Sequence, residues 1–197
     1  MPTLKKFQTL LILVTTILPS IAHSKVPDRT VVNWVTVDAE DAPGKLFTSC
    51  VDGNSDAHDC TVELATDSKR DVIMRLAIAP SSLSFTENTY VAKSPCGTAC
   101  SIAYYYRAGR GQSGPYSVVI SEDLENDLVL VVQGKRAFVQ KLFDHDAPTE
   151  FISLPQNQNE DLLQDIESAA IKKGVVSMRI SREGEIPVDI QKALTAP

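Results

Sequence analysis

The sequence predicts a mainly β fold, an antiparallel β-sandwich or a partly closed barrel, with one α-helix in its C-terminal half. Short runs of branched and aromatic residues recur along the chain, separated by Gly, Pro, Asn and Asp, a pattern typical of strands joined by turns. Two connections are short enough to require antiparallel neighbours: Glu125-Asn126-Asp127 and Gly134-Lys135. One amphipathic segment, at about residues 159–173, interrupts the strands.

Most of the predicted strands follow one another from residue 30 to residue 143. They are Thr30–Val37, Thr61–Leu64, Asp71–Ile78, Ser101–Tyr106, Tyr116–Ile120, Leu128–Val132 and Ala137–Phe143, followed later by Val176–Ile180. Strand alternation sends Tyr105 to one face of its sheet and its tyrosine neighbours to the other. We therefore expect ordinary β packing of these tyrosines rather than a stacking platform for sugars or bases.

The helix is predicted over residues 159–173. Apolar residues recur there at helical spacing: Leu162, Leu163, Ile166, Ala169 and Ala170. Asn157 and Glu160 resemble a capping pair, and Lys172-Lys173-Gly174 is typical of a helix end. Such a helix is expected to cover an open edge or end of the β structure.

Residues 1–24 have the pattern of a secretory signal peptide. Lys5 and Lys6 form a positive start, an apolar stretch follows from Leu10 to Leu18, and Ala22-His23-Ser24 offers a cleavage site. That stretch is shorter than the about 20 residues that a membrane-spanning helix needs. We therefore expect a periplasmic or secreted protein without stable membrane insertion, in which residues 25–197 form a single domain.

The chain is acidic, with 19 Lys and Arg, 25 Asp and Glu, and a formal net charge of −6. Nucleic acids and anionic lipids require clustered Lys and Arg, so neither is predicted as a partner. The negative sign fits a basic protein partner, and a solubilising surface is the competing interpretation.

Four cysteines lie in the exported part: Cys50, Cys60, Cys96 and Cys100. In an oxidising compartment an even number predicts two disulfides, with three connectivities open. Turn residues between Cys50 and Cys60, and Gly97 between the other two, favour pairing within each pair. A redox role is not expected, because the C-x-x-x-C spacing is longer than that of the redox motif.

Residues 52–63 match part of a calcium-binding loop. Oxygen-bearing side chains fall at positions 1, 3, 5 and 12 of the loop: Asp52, Asn54, Asp56 and Glu63. Ala57 replaces the glycine that the sharp turn requires, and no flanking helices are evident. A disulfide-tied acidic surface loop is therefore the competing interpretation, and no other cofactor is expected.

Ser113 lies in Gly111-Gln112-Ser113-Gly114-Pro115, which is similar to the nucleophile elbow of hydrolases. Pro115 occupies the position of the last glycine, and no strand–turn–helix pattern follows. The sequence therefore predicts a protein that is not an enzyme.

The glycine-rich segment Arg107–Tyr116 is expected to be an exposed connection from which Arg110, Ser113 and Tyr116 project. Arg and Tyr are residue types that often anchor protein interfaces. A plain hairpin loop is the competing interpretation.

Within this segment, Ser113-Gly114-Pro115-Tyr116 resembles the Ser-Gly-x-Tyr loop motif of the periplasmic lysozyme inhibitors of bacteria, which are small exported β proteins. The resemblance implies that the loop enters the cleft of a lysozyme and that its Ser and Tyr contact the catalytic carboxylates. The resemblance is limited to these four residues.

The sequence thus predicts an exported protein-binding domain without catalysis. Its most specific form is an inhibitor of, or an immunity protein against, a peptidoglycan hydrolase such as a basic lysozyme. The alternatives are an envelope structural or accessory protein that docks on a partner through a sheet edge or the helix face, and a calcium-binding exported domain.

Overall fold

The computed structural model describes residues 29–33, 42–51, 57–97, 100–144, 146–147, 149–154 and 162–195, with the backbone alone for 29–33. Within these residues, fifteen strands form four antiparallel sheets. The mainly β prediction is therefore confirmed. None of the described sheets closes on itself, so the partly closed barrel is wrong. The predicted signal peptide lies outside the described residues.

Each sheet is an up-and-down meander of strands that follow one another in sequence. The first sheet contains β1 (Arg29–Asn33), β2 (Lys45–Val51), β3 (His58–Ala65) and β4 (Arg70–Ile78). The second contains β5 (Ser82–Thr86), β6 (Thr89–Pro95), β7 (Ser101–Arg107) and β8 (Gly111–Ser117). The third contains β9 (Val119–Asp123), β10 (Leu128–Gln133), β11 (Arg136–Lys141) and β12 (Glu150–Ile152). The fourth contains β13 (Ile166–Lys172), β14 (Val175–Ile180) and β15 (Val188–Ala193).

The second and third sheets are buried on both faces. In β7, Tyr104 packs into the core shared with the first sheet, and Tyr105 packs into the core shared with the third. In β10, Leu130 faces the fourth sheet while Val129 and Val131 face the second. The sheets are consequently stacked in sequence order, and the predicted opposite orientation of Tyr104 and Tyr105 is confirmed.

Side chains of one sheet complete backbone hydrogen bonds at the edge of the next. The amide group of Gln112 in β8 accepts from the Arg75 N–H of β4 at 2.8 Å and donates to the Arg75 carbonyl at 3.0 Å. Similarly, Ser121 Oγ in β9 accepts from the Ile171 N–H of β13 at 2.9 Å. Unpaired backbone groups make a sheet edge prone to adding foreign strands. These contacts therefore attach neighbouring sheets to each other and cover two edges.

The predicted helix over residues 159–173 is wrong. One 3₁₀ turn, Leu162–Gln164, leads into strand β13. A β-bulge between Ile166 and Ser168 gives the strand one extra residue, so Ile166, Ala169 and Ile171 all face the core of the fourth sheet. Their spacing of three and two residues imitates a helical stripe in the sequence.

The supposed helix end is a hairpin turn. Lys173 and Gly174 have φ of 52° and 71° and form the two-residue connection between β13 and β14. Two successive residues in the left-handed region are what a type I′ hairpin turn requires. Asn157 and Glu160, the supposed capping pair, lie outside the described residues.

Both predicted disulfides are present. Cys50 and Cys60 join the adjacent strands β2 and β3, with Cα atoms 4.0 Å apart, and are buried in the first core. Cys96 and Cys100 close the connection between β6 and β7, with Cα atoms 5.1 Å apart. Two disulfides indicate an oxidising environment. Among the residues described, no helix has the length and apolar character needed to cross a membrane.

We expect replacement of Cys50 and Cys60 together by Ala to lower the free energy of unfolding by about 3 kcal/mol, because a loop with a sequence separation of 10 is no longer closed in the unfolded chain. The Cys96/Cys100 double Ala variant is expected to lose about 2 kcal/mol, since its loop is shorter. Urea unfolding followed by circular dichroism measures both values. A larger loss for the Cys96/Cys100 variant would contradict this ranking.

Candidate functional site

The predicted binding segment, residues 107–116, comprises the turn and most of the second strand of the β7–β8 hairpin. The Arg110 N–H closes the turn by donating to the Arg107 carbonyl at 3.0 Å. Gly109 and Gly111 have φ of 79° and 82°, a region that residues with side chains rarely adopt. The turn itself, residues 108–110, is exposed as predicted.

Ser113 and Tyr116 do not project from this turn. They are 0% and 8% exposed, and the Ser113 hydroxyl is hydrogen-bonded to the Tyr116 hydroxyl at 2.9 Å. The Phe143 N–H donates to Ser113 Oγ at 3.1 Å. The expectation that both side chains project from an exposed loop is wrong, because β8 continues through this segment and turns both into the core.

A β-bulge explains why two residues three positions apart face the same core. Ser113 lies opposite Tyr105 in β7, and Tyr116 lies opposite Ala103, so β8 has one residue more than β7 between these pairs. In a regular strand, positions 113 and 116 point to opposite faces. Gly114 is required in the bulge, since its φ is 107° and a Cβ would lie 2.8 Å from the Ala103 carbonyl oxygen.

Arg110 is the exposed member of the predicted set, with 44% of its side chain accessible. Its Nη1 lies 3.6 Å from the carboxylate of Asp127, and its guanidinium lies 5.6 Å from the centre of the Phe143 ring. Arg110 therefore belongs to a polar cluster at this end of the second and third sheets.

Arg107 is the central residue of that cluster, although the sequence did not single it out. Its Nη1 pairs with the Asp127 carboxylate at 2.6 Å, and its Nε and Nη2 donate to Thr89 Oγ1 at 3.0 and 2.8 Å. Its Nη2 also donates to the Leu124 carbonyl at 2.8 Å, and the guanidinium lies 5.3 Å from the Phe143 ring centre. Arg107 thereby joins the second sheet to the β9–β10 turn of the third.

A groove lies beside this cluster, between β8 and residues 141–150. It contains two cavities of about 260 and 310 Å³, which have four residues in common: Lys141, Asp144, Ala147 and Thr149. The smaller cavity is completed by Gln140, by the bulge residues Gly114 and Pro115, and by Tyr116. Apolar residues line the larger one: Leu128, Val139 and Leu194. These volumes are at the lower end of those that accept small ligands.

Glu150 forms one wall of the larger cavity and binds residues at the end of β15 and just after it. Lys192 Nζ lies 2.9 Å from Glu150 Oε1, and the Thr195 N–H and hydroxyl donate to Oε2 at 3.1 and 3.2 Å. The hydrogen bond from Lys192 lowers the pKa of the Glu150 carboxyl, so this group is ionised at neutral pH. Lys141 and Asp144, also in the wall, supply one charge of each sign. The groove therefore combines an apolar floor with charged groups.

Three of the four predicted calcium ligands, Asp52, Asn54 and Asp56, lie outside the part of the chain that the structure describes. Glu63 forms an ion pair with Arg70, whose guanidinium lies 4.3 Å from the centre of the Phe47 ring. The described part of the chain contains no group of three His, Cys, Asp or Glu residues placed to hold a metal. Calcium binding stays a prediction.

Sequence reasoning missed the groove. A sequence signal was available in Asp144-His145-Asp146-Ala147-Pro148-Thr149, a polar, proline-containing segment directly after a predicted strand. Such segments are where binding residues concentrate. The apolar floor gave no such signal, because Leu128 and Val139 are indistinguishable in sequence from other core residues.

Compared with models of known protein families, the chain matches none, and no curated protein matches it. The fold and the site together define a class: a disulfide-linked domain of stacked antiparallel sheets with a groove along one side.

We expect Arg107→Met to lower the free energy of unfolding by about 3 kcal/mol, because it leaves the largely buried Asp127 carboxylate without its main partner. Arg110→Met is the matched control and is expected to cost less than about 1 kcal/mol, since the Arg110 side chain is 44% accessible and its Nη1 lies 3.6 Å from the Asp127 carboxylate. Chemical unfolding monitored by fluorescence gives both values. Equal losses would show that Arg107 is not the residue that holds the cluster.

A further prediction concerns how the stability of the protein changes at alkaline pH. Burial raises the pKa of the Tyr105 phenol, and the nearby Glu122 carboxylate raises it further. A phenol with a raised pKa in the folded protein contributes stability that is fully present below the unfolded pKa of about 10 and is lost as the pH rises above it. Tyr105→Phe is therefore expected to lose stability less steeply than the wild type between about pH 9 and pH 11. Urea midpoints across this range test it, and parallel curves would contradict it.

Proposed function

We propose that the protein is an exported, non-catalytic protein-binding domain that accepts a protruding segment of a basic partner protein in the groove beside β8. The larger cavity, of about 310 Å³, is the observation that carries this proposal. Leu128 and Val139, each 3% exposed, form its floor. A pocket that desolvates one anchoring side chain within a charged rim is the arrangement from which interfaces gain most of their affinity.

The charge of the chain supports a basic partner. Its formal net charge is −6, and charge of opposite sign on a partner accelerates and selects association. In the wall of the groove, Lys141 and Asp144 supply both signs, which favours one orientation of the bound segment over another.

Two features support export to the periplasm or the exterior. Residues 1–24 have the pattern of a signal peptide, and two disulfides stabilise the folded domain. The bonding of Ser113 supports a role without catalysis, because its hydroxyl contacts a backbone N–H, which is not a base, and the Tyr116 hydroxyl. Burial raises the pKa of the Tyr116 phenol, so this group is protonated at neutral pH and is a poor general base. In this proposal Ser113 is a structural residue.

The most specific form of the proposal is inhibition of, or immunity against, a basic lysozyme-like peptidoglycan hydrolase. In this form the groove contacts the hydrolase, and the exposed Pro115 at its margin is the part of the Ser-Gly-x-Tyr segment that reaches the partner. Ser113 and Tyr116 act indirectly, by holding the bulge that places Pro115 there.

The oxidised protein is expected to inhibit at least one of a panel of c-, g- and i-type lysozymes in a cell-wall turbidity assay. Thr149→Trp fills the groove and is expected to weaken inhibition by about tenfold or more, since an anchoring side chain is then excluded. Asp144→Lys is expected to weaken it several-fold and to reduce its dependence on salt.

Lys135→Glu is the control, because it lies exposed in the β10–β11 turn and makes the net charge more negative without altering the groove. It is expected to inhibit as well as the wild type or better. No inhibition of any lysozyme would remove this specific form. Inhibition that Thr149→Trp leaves intact would show that the groove is not the binding site.

A further inference from the structure

The strand β15 forms one edge of the fourth sheet, which has three strands where the other described sheets have four. Two of the exposed large apolar residues lie at this edge: Ile186, two residues before the strand, is 89% exposed, and Val188 is 41% exposed. An exposed edge with apolar side chains is a template for pairing with another strand.

Two other edges of the stack, β13 and β12, are bonded by side chains of a neighbouring sheet. At the opposite edge of the same sheet, the Ile171 N–H is bonded by Ser121, and the Lys173 N–H donates to the Asp123 carboxylate at 2.8 Å. At β12, Lys192 Nζ donates to the Phe151 carbonyl at 2.7 Å. No side chain of the described residues makes such a bond to the backbone of β15.

The charged residues of β15 do not protect it. Charged side chains usually discourage strand addition at an edge. Here Lys192 is directed to Glu150 and to the carbonyl of β12, and Asp189 is paired with Arg179 at 3.3 Å. Both charges are thus engaged within the molecule and leave the edge open.

We infer that β15 pairs antiparallel with β15 of a second copy of this chain, about a two-fold axis at Ile190. A two-fold axis perpendicular to the sheet keeps the inner faces of both copies on the same side, and it joins the two fourth sheets into one continuous sheet. Since Val188, Ile190 and Lys192 pair with inward-facing residues of β14, this row stays on the inner face of both copies.

The register is self-complementary. Ile190 of one copy lies opposite Ile190 of the other, and Val188 of each copy lies opposite the aliphatic stem of Lys192 of the other. Continued beyond the strand, the same row places Ile186 against Leu194. On the outer face, Asp189 lies opposite Gln191, which can donate a hydrogen bond to it. No two like charges are opposed, and the two exposed apolar residues become covered.

This pairing is isologous, so it uses up the open edge of each copy and predicts a closed dimer rather than a growing fibre. Its register includes Leu194, which also lines the larger cavity, but the pairing of β15 does not require the groove to bind a partner.

Sedimentation velocity and light scattering of the disulfide-bonded chain, from about 1 to 200 μM, test the inference. We expect the mass to rise to that of a dimer. Val188→Lys is expected to raise the dissociation constant of the dimer by about tenfold or more, because it places a cation opposite Lys192 twice in each dimer. Val72→Lys is the matched control: Val72 is 49% exposed on β4, where Gln112 already caps the edge, and this variant is expected to dimerise normally.

Hydrogen exchange supplies a second readout. Alternate N–H groups of Val188–Ala193 point away from β14, and their exchange is expected to slow as the protein concentration rises. Circular dichroism confirms that each variant is folded. A single-chain mass throughout the range, assembly beyond a dimer, or a dimer weakened equally by Val72→Lys would overturn the inference.

Discussion

Burial of the second and third sheets on both faces is the constraint on which the rest of the structure depends. Neighbouring residues of one strand, such as Tyr104 and Tyr105, enter different cores, so neither sheet can be stable without a sheet on each side. This requirement orders the four meanders in a stack. It also brings the edge strands β4 and β13 within reach of side chains from the neighbouring sheet, which complete some of their backbone hydrogen bonds.

The polar cluster around Arg107 connects the stacked sheets to the wall of the groove by hydrogen bonds. Asp127, bound by Arg107, also accepts the Leu142 N–H on its carbonyl at 2.6 Å, and the next residue, Phe143, donates its N–H to Ser113. Asp144, the residue after Phe143, lies in the wall of the groove. The Ser113–Tyr116 pair, which in sequence resembles a contact motif, thus helps to hold the wall of a binding groove. Buried polar groups that are fully bonded give such a segment one defined position.

Two β-bulges account for the main differences between the predicted and the observed molecule. At Gly114 a bulge turns Ser113 and Tyr116 to the same face, and at Glu167 a bulge turns Ile166 and Ala169 to the same face. Each bulge adds one residue to a strand and so replaces the period of two by a step of three. The glycine-rich sequence at the first bulge predicts an exposed connection, and the step of three at the second imitates a helical stripe. Both bulges exist because the partner strand of the same hairpin imposes the register, and the residues of one strand alone do not show that register.

The amino-acid order alone determined that the chain is antiparallel β and where two of its hairpin turns fall, and it favoured the observed cysteine pairing, because strand alternation, turn chemistry and short disulfide loops are local properties. Only the tertiary structure decided which polar residues are buried, where the groove lies and which edges are bonded by side chains of the next sheet. Arg107, Leu128 and Val188 have no distinguishing sequence signal. Their roles depend on which sheet packs against each of them, and packing between distant segments is set by the whole stack rather than by any one segment.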